Sequence, residues 1–461
     1  MLLPSLLALA PLLLSQGPTL QIGATHRLPS FGMGSKNHAS VAANANGDLC
    51  VVWHAETGLG DQHLVEAIVY RRQGEGRWVT FPGDHFVLGD PSLGVYGPGR
   101  DTCIKPAVCA LGDGSFVAVW PRFDRFTLDG RLEAQRIVVP HSFGSAIPPL
   151  RRLASPVVLD EALRPGDGGS MPGITAVADT EALVAYTHEV HRTPLATGEV
   201  LRDYALRLQR MDWSRAPGDP EFRKESLQLP DLVAADDAPD VPAEGGLVLP
   251  EVAVDEPGHV FLAFEEFRAS GRTGSAHDAA VVLVSLLQTG STLTVEDVLR
   301  FRGSDARRRQ RRPQLSVLRG DGVERALLAW GDRAGPGLIH NRARWRRIEL
   351  TPQGPVVTPL GWSPAPGSED FHPFPVLLPA MELLLASRAF PLTRRLLIGD
   401  SAHGTLSELW THPPYVLRPS AALLLPETWT TRPQRLLAVS YEGSPASAMN
   451  VRSVYLQVVR F

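Results

Sequence analysis

Charged side chains recur immediately before and after a repeated pair of apolar segments. Behind the second segment stand Glu56, Asp124, Glu189, Glu266, Asp332 and Glu442, with Arg388 in one remaining copy. Ahead of the first segment stand Lys36, His38, Arg100, Lys105, Arg312, His372 and Arg418. Guanidinium and carboxylate groups bind charged or hydroxyl-rich partners through directional hydrogen bonds. If all these loops meet on one face, they predict a polar binding site. The alternative is that the charges are solvated or pair with one another.

Two other motifs offer specific chemistry. Tyr441 followed by Glu442 suggests a nucleophile beside a carboxylate, but Tyr441 occupies an aromatic position that Trp residues hold in other copies, which favours core packing. His188, Glu189 and His191 suggest a metal site, but their spacing is one residue shorter than His-Glu-x-x-His. The Asn-Gly-Asp in residues 43–48 is typical of a hairpin turn rather than a calcium loop. We therefore expect neither a cofactor nor a metal.

Arginine is strongly preferred over lysine. The chain has 45 Lys and Arg residues in total, and only Lys36, Lys105 and Lys224 are lysines. Nine arginines lie in residues 306–312 and 341–347, which suggests a polyanion patch, although a solvated face is the favoured interpretation. The formal net charge of −4 gives no reason to expect a nucleic acid partner.

The N-terminus predicts export. Residues 2–14 are apolar, too short for a membrane-spanning helix of about 20 residues but suited to a signal peptide, which we place at residues 1–17. The alternative is a buried N-terminal strand or helix. No later segment is long and apolar enough to anchor the chain, so a secreted or periplasmic protein is expected. In an oxidising compartment, Cys109 has two conceivable disulfide partners, Cys50 and Cys103.

The apolar segments form a repeat of about sixty residues. Each copy reads as two short strands around a turn, as in "PAVCALGDGSFVAVW". In five copies the first and last residues are 14 positions apart, and the other two copies carry extra residues at the turn. Six copies begin with Pro, a residue that suits the start of a strand because it lacks an N–H. The predicted hairpins span residues 39–53, 106–120, 172–186, 250–264, 313–330, 373–387 and 419–441.

Further strand-like segments follow the hairpins, as in residues 65–72, 133–139 and 204–211, with a fourth segment such as residues 84–89. Four strands in seven copies predict an all-β, seven-bladed β-propeller over residues 18–461. The chain ends after a third strand, so we expect the N-terminal strand to complete the last blade and leave no open edge. Two separate propeller-like domains, or an open array, are the alternatives.

The repeats resemble exported bacterial β-propeller repeats of the form Pro-x-Val-Ala-x-Leu-x-Asp-Gly-x-Phe-Val-Val-x-Trp. More distantly, they are similar to sialidase-type propellers, although the segment "RRQGEGRW" (residues 71–78) lacks most residues of the Asp-box turn of that family. The resemblance implies a fold and transfers no activity.

We therefore predict a monomeric binding protein that recognises a glycan or a protein at the channel mouth. A glycan-active hydrolase or lyase of sialidase-like type is the first alternative. A structural scaffold without a small ligand is the second.

Overall fold

The structure is a computed structural model. It describes residues 19–57, 62–74, 76–89, 100–127, 129–140, 151–152, 156–163, 171–194, 200–232, 245–269, 277–302, 309–320, 323–334, 340–351, 353–359, 369–378, 381–390, 393–400, 405–409, 415–424, 436–444 and 452–460. The predicted signal peptide (1–17) and residues 233–244 lie outside these ranges.

All regular elements in the described ranges are β-strands, which confirms the all-β prediction. The first sixteen strands are β1 (Thr19–Gln21), β2 (Thr25–Arg27), β3 (Lys36–Ala43), β4 (Leu49–Glu56), β5 (His63–Arg72), β6 (Arg77–Val79), β7 (His85–Leu88), β8 (Asp101–Cys103), β9 (Ala107–Ala110), β10 (Phe116–Asp124), β11 (Gly130–Val138), β12 (Arg151–Arg152), β13 (Val157–Leu163), β14 (Gly173–Ala176), β15 (Glu181–Pro194) and β16 (Val200–Asp212).

The remaining strands are β17 (Arg223–Leu227), β18 (Gly245–Glu256), β19 (His259–Ala269), β20 (His277–Thr289), β21 (Thr292–Phe301), β22 (Arg309–Gly320), β23 (Val323–Ala334), β24 (His340–Thr351), β25 (Gly354–Pro359), β26 (Glu369–Leu378), β27 (Met381–Phe390), β28 (Thr393–Asp400), β29 (Thr405–Leu409), β30 (Tyr415–Leu424), β31 (Leu436–Ser444) and β32 (Ser453–Arg460).

Antiparallel pairing groups the strands into sets that follow the repeat. Set one is β3-β4-β5-β7 and set two is β9-β10-β11-β13. Sets three to six are the consecutive quartets from β14 to β29. Set seven is β30-β31-β32 followed by the N-terminal strand β2, with Thr25 opposite Gln457. The predicted hairpins are therefore the first two strands of each set.

The N-terminal segment also differs from the prediction, because it contributes to the first set as well as to the last. Strand β1 pairs antiparallel with β6, placing Leu20 opposite Trp78. Immediately after it, Ile22 forms a parallel bridge with Val458 in β32. The Leu20 and Trp78 side chains are fully buried, so this additional pairing is stabilised by apolar burial.

The hydrophobic core lies between neighbouring sets rather than within them. The second strands are apolar on both faces, as in β10 and β31, where every residue is buried. Strands covered on both faces read as continuous apolar runs, which explains the Val-, Leu- and Trp-rich repeats. One cluster joins Trp53 of set one to Val454 of set seven, and a second joins Val52 of set one to Trp120 of set two. Further clusters join each later set to the next.

Contacts between first strands follow the same order. Strand β3 contacts β9, β9 contacts β14, and the sequence continues through β18, β22, β26 and β30. Strand β30 in turn contacts β3, where the Val41 N–H donates to Ser420 Oγ at 3.4 Å. The first strands therefore surround a common space.

Pro106 and Pro172 directly precede β9 and β14, in line with the predicted role of Pro at the start of a strand. The other four repeated Pro residues differ from the prediction, because they lie inside β18, β22, β26 and β30. In β22 the ladder pairs Arg311 with Gly331 and then Gln314 with Ala329, so Arg312 and Pro313 together oppose Trp330. Equivalent one-residue bulges interrupt β3, β18, β26 and β30. Pro is accommodated because a bulged residue donates no ladder hydrogen bond. The first strands β3, β18, β22, β26 and β30 thus begin three to five residues before the predicted hairpin starts, whereas β9 and β14 begin one residue after it.

The three cysteines do not form the disulfides considered from the sequence. Cys50, Cys103 and Cys109 are free and buried. Cys50 and Cys103 pack in one cluster, whereas Cys109 packs in the next. Burial raises the pKa of all three thiols, that of Cys109 to about 12, so they stay protonated.

Candidate functional site

The first strands of all seven sets line one cavity of about 440 Å³, which we call the mouth cavity. In sets one, four, five, six and seven, the wall consists of bulge residues and the residues just after them. Four of the residues predicted from the sequence lie in this wall, namely His38, Lys105, Arg312 and Arg418. Loops on a rigid scaffold commonly carry binding sites, and here it is the bulges that place charged side chains in the cavity.

These four residues share an unusual backbone conformation. Their φ angles lie between 46° and 53°, in the left-handed region that costs non-glycine residues about 1–2 kcal/mol each. Leu249, at the equivalent bulge of set four, has a φ of 54°. Residues from five of the seven sets therefore share the left-handed conformation, and three of them, Lys105, Arg312 and Arg418, are cations.

A buried carboxylate supports two of the four residues. Glu442 Oε1 accepts the His38 backbone N–H at 2.7 Å and an Arg418 N–H at 2.9 Å. Its other oxygen accepts from Arg452 at 3.1 Å. Glu442 is fully buried and does not line the cavity. Its position favours a structural role rather than the ligand-binding role predicted from the sequence.

A group of histidines extends outward from the cavity wall. The His38 ring stacks on His54 at 4.9 Å, and His54 makes an edge contact with His63 at 5.1 Å. The Lys105 backbone N–H donates to His54 Nδ1 at 3.0 Å, so the neutral His54 ring carries its proton on Nε2. Burial, followed by nearby cations, holds the pKa of His38 well below its usual range. Burial is the largest cause that lowers the pKa of His54, and the nearby His63 and Arg418 lower it further.

The cavity also contains a carboxyl group that the sequence reasoning missed. Glu251 lines the wall and accepts a hydrogen bond from Gln314 Nε2 at 2.6 Å. Burial raises the pKa of Glu251 to about 7, so this group exchanges a proton near neutrality. Glu251 directly follows the repeated Pro, as Gln314 does in set five. Aligning the position after each Pro would have indicated both residues.

The other predicted carboxylates are paired away from the cavity. Asp124 binds Arg100, Glu266 lies 3.4 Å from Arg300, and Asp332 lies 3.1 Å from Arg344. Burial disfavours the charge of Asp124, but backbone hydrogen bonds from residues 126 and 127 and the pair with Arg100 lower its pKa. None of these three carboxylates lines the mouth cavity.

The remaining predicted residues fall into two groups. Lys36 is buried and donates to Gly34 O at 2.9 Å, and Glu56 accepts the Ser35 N–H at 3.1 Å. Both therefore hold the segment before β3, and Glu189 lies in β15 outside the cavity wall. The last two predicted residues are His372, in β26, and Arg388, in β27. The structure describes their backbone but not their side chains.

The structure also shows where the tyrosine motif and the histidine motif of the sequence analysis lie. Tyr441 is fully buried and stacks on Tyr455 at 5.6 Å, which agrees with core packing. His188 Nδ1 lies 2.9 Å from Asp160, and the His191 side chain lies outside the described residues. Within those residues, no three His, Cys, Asp or Glu side chains are grouped as a metal site. Nor does the described part of the chain contain a helix of the length and apolarity needed to cross a membrane.

The arginines of β24 are largely engaged with neighbouring side chains. Arg347 donates to Glu382 at 2.8 Å, and Arg344 donates to Asp332. Arg346 lies over the Trp330 ring at 5.7 Å. Arg307 and Arg308 lie outside the described residues. These contacts favour a structural use of Arg344, Arg346 and Arg347 over a polyanion patch.

Comparison with known proteins does not assign this chain to a family. No protein-family model matches the chain, and no curated protein sequence matches it. A protein of unknown function from Dyadobacter fermentans is 15% identical, with 79% of this chain and 96% of that chain covered and a TM-score of 0.45. An α-L-arabinanase from Penicillium chrysogenum is 11% identical, with 96% and 98% covered and a TM-score of 0.44. The polysaccharide lyase Uly1 is 9% identical, with 94% and 91% covered and a TM-score of 0.48. At TM-scores below 0.5, these likenesses carry no argument about this chain.

Proposed function

We propose that the chain is a seven-bladed β-propeller, closed by strand β2, that binds a glycan in the mouth cavity. The architecture is supported by the cyclic order of first-strand contacts and by the apolar clusters between successive sets. The pairing of β2 with β32 supports closure. Three cationic side chains, Lys105, Arg312 and Arg418, and the imidazole of His38, all in the same left-handed conformation around one cavity, are the observation that carries the binding function.

A steric variant tests the place of binding without altering charge. Thr175 lines the cavity, so Thr175→Trp fills it, whereas Thr294→Trp adds the same side chain at an exposed position of β21. We expect the unmodified chain and Thr294→Trp to bind the same members of a broad glycan array, and Thr175→Trp to lose them. Binding that survives in Thr175→Trp would place the site elsewhere. No binding to any glycan would favour a protein ligand or a structural scaffold.

A glycan-active enzyme is the second candidate, because Glu251 lies in the same cavity with a pKa near neutrality. A carboxyl group of this kind serves as a general acid or base in glycan cleavage. The sialidase-like pair of Tyr441 and Glu442 is less suited, since both side chains are fully buried. If the chain cleaves a glycan, Glu251→Gln is expected to lower kcat at least 100-fold while binding is retained. The exposed control Glu225→Gln should keep full turnover.

We propose that the protein is exported, on the basis of the apolar N-terminal segment in residues 2–14, and that it acts as a monomer. Expression of the full chain in a bacterial host, followed by fractionation and mass determination, tests this. Loss of roughly the first 17 residues and recovery from the periplasm or medium are expected. An unprocessed N-terminus on a cytosolic product would contradict export.

A further inference from the structure

We infer that the aromatic ring of Phe31 is a stacking platform for a sugar ring, a saccharide subsite outside the mouth cavity. Its ligand class rests on the proposed glycan-binding function, whereas its place on the chain is separate. Phe31 lies in the segment that leads into β3, seven residues before His38 in the cavity wall. An extended chain spans at most about 3.3–3.6 Å per residue, so the backbones of the two residues lie within roughly 25 Å, a distance that an oligosaccharide can bridge.

Two large apolar side chains of this segment point into solvent. Phe31 is 56% exposed and Met33 is 82% exposed, whereas Gly32 between them is buried. A side-chain carbon at Gly32 would lie 2.7 Å from the Cβ of Ala55 in β4, so only glycine allows the segment to pack this closely. The segment therefore keeps its smallest residue inward and its largest apolar side chains outward, an arrangement that indicates a contact outside the chain.

The Phe31 ring is the outermost of three stacked rings. It stacks on His85 with 4.1 Å between the ring centroids and 15° between the ring planes. His85 stacks in turn on the fully buried Trp53, at 5.7 Å and 25°. One face of the Phe31 ring is thus covered by His85, and its exposure shows that the opposite face is open to solvent. The result is a flat apolar surface supported from beneath by buried aromatic packing.

A buried carboxylate holds this platform in place. Glu66 Oε1 accepts the Ser30 hydroxyl at 2.6 Å and the Gly32 N–H at 3.0 Å. Its Oε2 accepts the Phe31 N–H at 3.1 Å and lies 2.9 Å from His85 Nε2. One side chain therefore fixes both the backbone of Phe31 and the ring beneath it. Because the platform is already ordered, a ligand that stacks on it loses little affinity to the ordering of the protein.

The size of the apolar surface favours a saccharide over a larger partner. Phe31 and Met33 together offer at most a few hundred Å², since a whole aromatic side chain buries about 150–250 Å². A stable protein interface needs about 800 Å² from each partner. Two apolar side chains likewise hold a protein on a lipid surface only weakly. A sugar ring, in contrast, has a face of C–H groups that matches one aromatic ring, while its hydroxyl groups remain in water.

Phe126 provides a matched control, because it is also exposed but its ring contacts differ. It is 65% exposed. The Arg125 guanidinium lies over its ring at 4.6 Å from the centroid, and the Arg100 guanidinium lies at 5.6 Å. A cation over an aromatic ring competes with a sugar for the same π-face. We therefore expect Phe126 to make no contribution to saccharide binding.

Substitutions at Phe31 test the stacking. The probes are cello-, xylo-, arabino- and galacto-oligosaccharides of two to six sugars, titrated calorimetrically against the full chain. We expect at least one of them to bind, and Phe31→Ala to weaken that binding at least about fivefold. Phe31→Tyr keeps a flat ring and should bind within about twofold of the unmodified chain, whereas Phe31→Leu, apolar but not flat, should resemble Phe31→Ala. Phe126→Ala should leave the affinity unchanged.

A tryptophan reporter tests where the sugar lies. In Phe31→Trp, a bound saccharide should shift the indole emission to shorter wavelength, because the sugar displaces water from the ring. Phe126→Trp carries the same reporter at the control position and should show no shift. Equal shifts in both variants, or a shift in neither, would overturn the inference.

The outcomes separate this subsite from the site proposed in the mouth cavity. Binding that is lost in Thr175→Trp but unchanged in Phe31→Ala would overturn the platform and leave the cavity site. Binding that is weakened in Phe31→Ala but unchanged in Thr175→Trp would support the platform and contradict the cavity site. If no saccharide binds, both fail. Phosphatidylcholine–phosphatidylglycerol vesicles are the final probe, and vesicle binding that depends on Phe31 in the absence of saccharide binding would assign the ring to a lipid surface and overturn the inference.

Discussion

At the scale of single residues, similar charges have different roles. Arg418 lines the cavity while its partner Glu442 is fully buried behind it. A buried carboxylate is tolerated only when its oxygens are hydrogen-bonded, and both oxygens of Glu442 are. The carboxylate thus fixes the backbone of His38 and the side chain of Arg418 together.

Replacement of this carboxylate is expected to destabilise the protein. Glu442→Gln should lower the free energy of unfolding by about 2–3 kcal/mol, less than for a fully buried ion pair because Arg418 and Arg452 are partly exposed. The control Glu221→Gln breaks the exposed pair with Arg215 and should cost under about 0.5 kcal/mol. Urea unfolding measures both values, and equal losses would contradict the assigned role of Glu442.

Glu251 predicts a pH dependence of stability. Burial raises its pKa to about 7 in the folded chain from 4.5 for a solvated glutamate, so the folded state holds the proton more tightly than the unfolded state. Stability therefore falls as pH rises from about 4.5 to 7. Between pH 5 and pH 8 the unmodified chain should lose roughly 2–3 kcal/mol relative to Glu251→Gln. Urea midpoints of the two proteins at several pH values test this, and parallel curves would contradict it.

At the scale of elements, the bulge is the feature that makes the site. It adds one residue to the first strand opposite the aromatic position of the second strand, as at Arg312 and Pro313 opposite Trp330. The strand bends there, and the extra side chain lies in the cavity wall. The repeated Pro marks the bulge because it needs no ladder partner.

The energetic cost of the left-handed conformation can be measured by comparing glycine with alanine at the same position. Lys105 has a φ of 46°, so Lys105→Gly should be more stable than Lys105→Ala by about 1 kcal/mol, since only glycine adopts this region freely. Both variants lose the same side chain, which isolates the backbone term. At the exposed strand residue Val295, the order should reverse, with alanine more stable than glycine. Thermal unfolding of the four variants tests the sign, and alanine equal to glycine at residue 105 would contradict it.

At the scale of the whole molecule, the order of the sets depends on contacts far apart in sequence. Strand β3 contacts β30, and the cluster containing Trp53 also contains Leu424 and Leu456. Strands β1 and β2 add pairing on both sides of this boundary. The pairing of β2 covers one edge of β32, and a covered edge is protected against edge-to-edge association.

Removal of the N-terminal strands tests closure. A chain beginning at Leu28 lacks β1 and β2 and the buried Leu20 side chain, so it should lose at least about 3 kcal/mol relative to a chain beginning at Thr19. Its exposed β32 edge should also make it associate with increasing concentration. Addition of a synthetic peptide of residues 19–30 should restore part of the stability. Urea unfolding and light scattering check these results, and an unchanged midpoint would contradict a stabilising closure.

The sequence alone determined the strands and their hairpins, because alternating apolar runs and turn residues act locally and recur in every copy. It also placed His38, Lys105, Arg312 and Arg418 on the side of the hairpin that borders the cavity. It did not distinguish these residues from Asp124, Glu266 and Asp332, which have the same repeat periodicity but pair with arginines elsewhere.

That distinction was made by the tertiary structure. A one-residue bulge and a left-handed φ bring side chains from sets that are distant in sequence to one wall, and burial then decides which charges remain paired. Glu251 shows the same limit, since "PEV" in the sequence carries no sign of a raised pKa until neighbouring strands remove its solvent. Local patterns fix elements, whereas desolvation and charge pairing arise only once distant elements pack together.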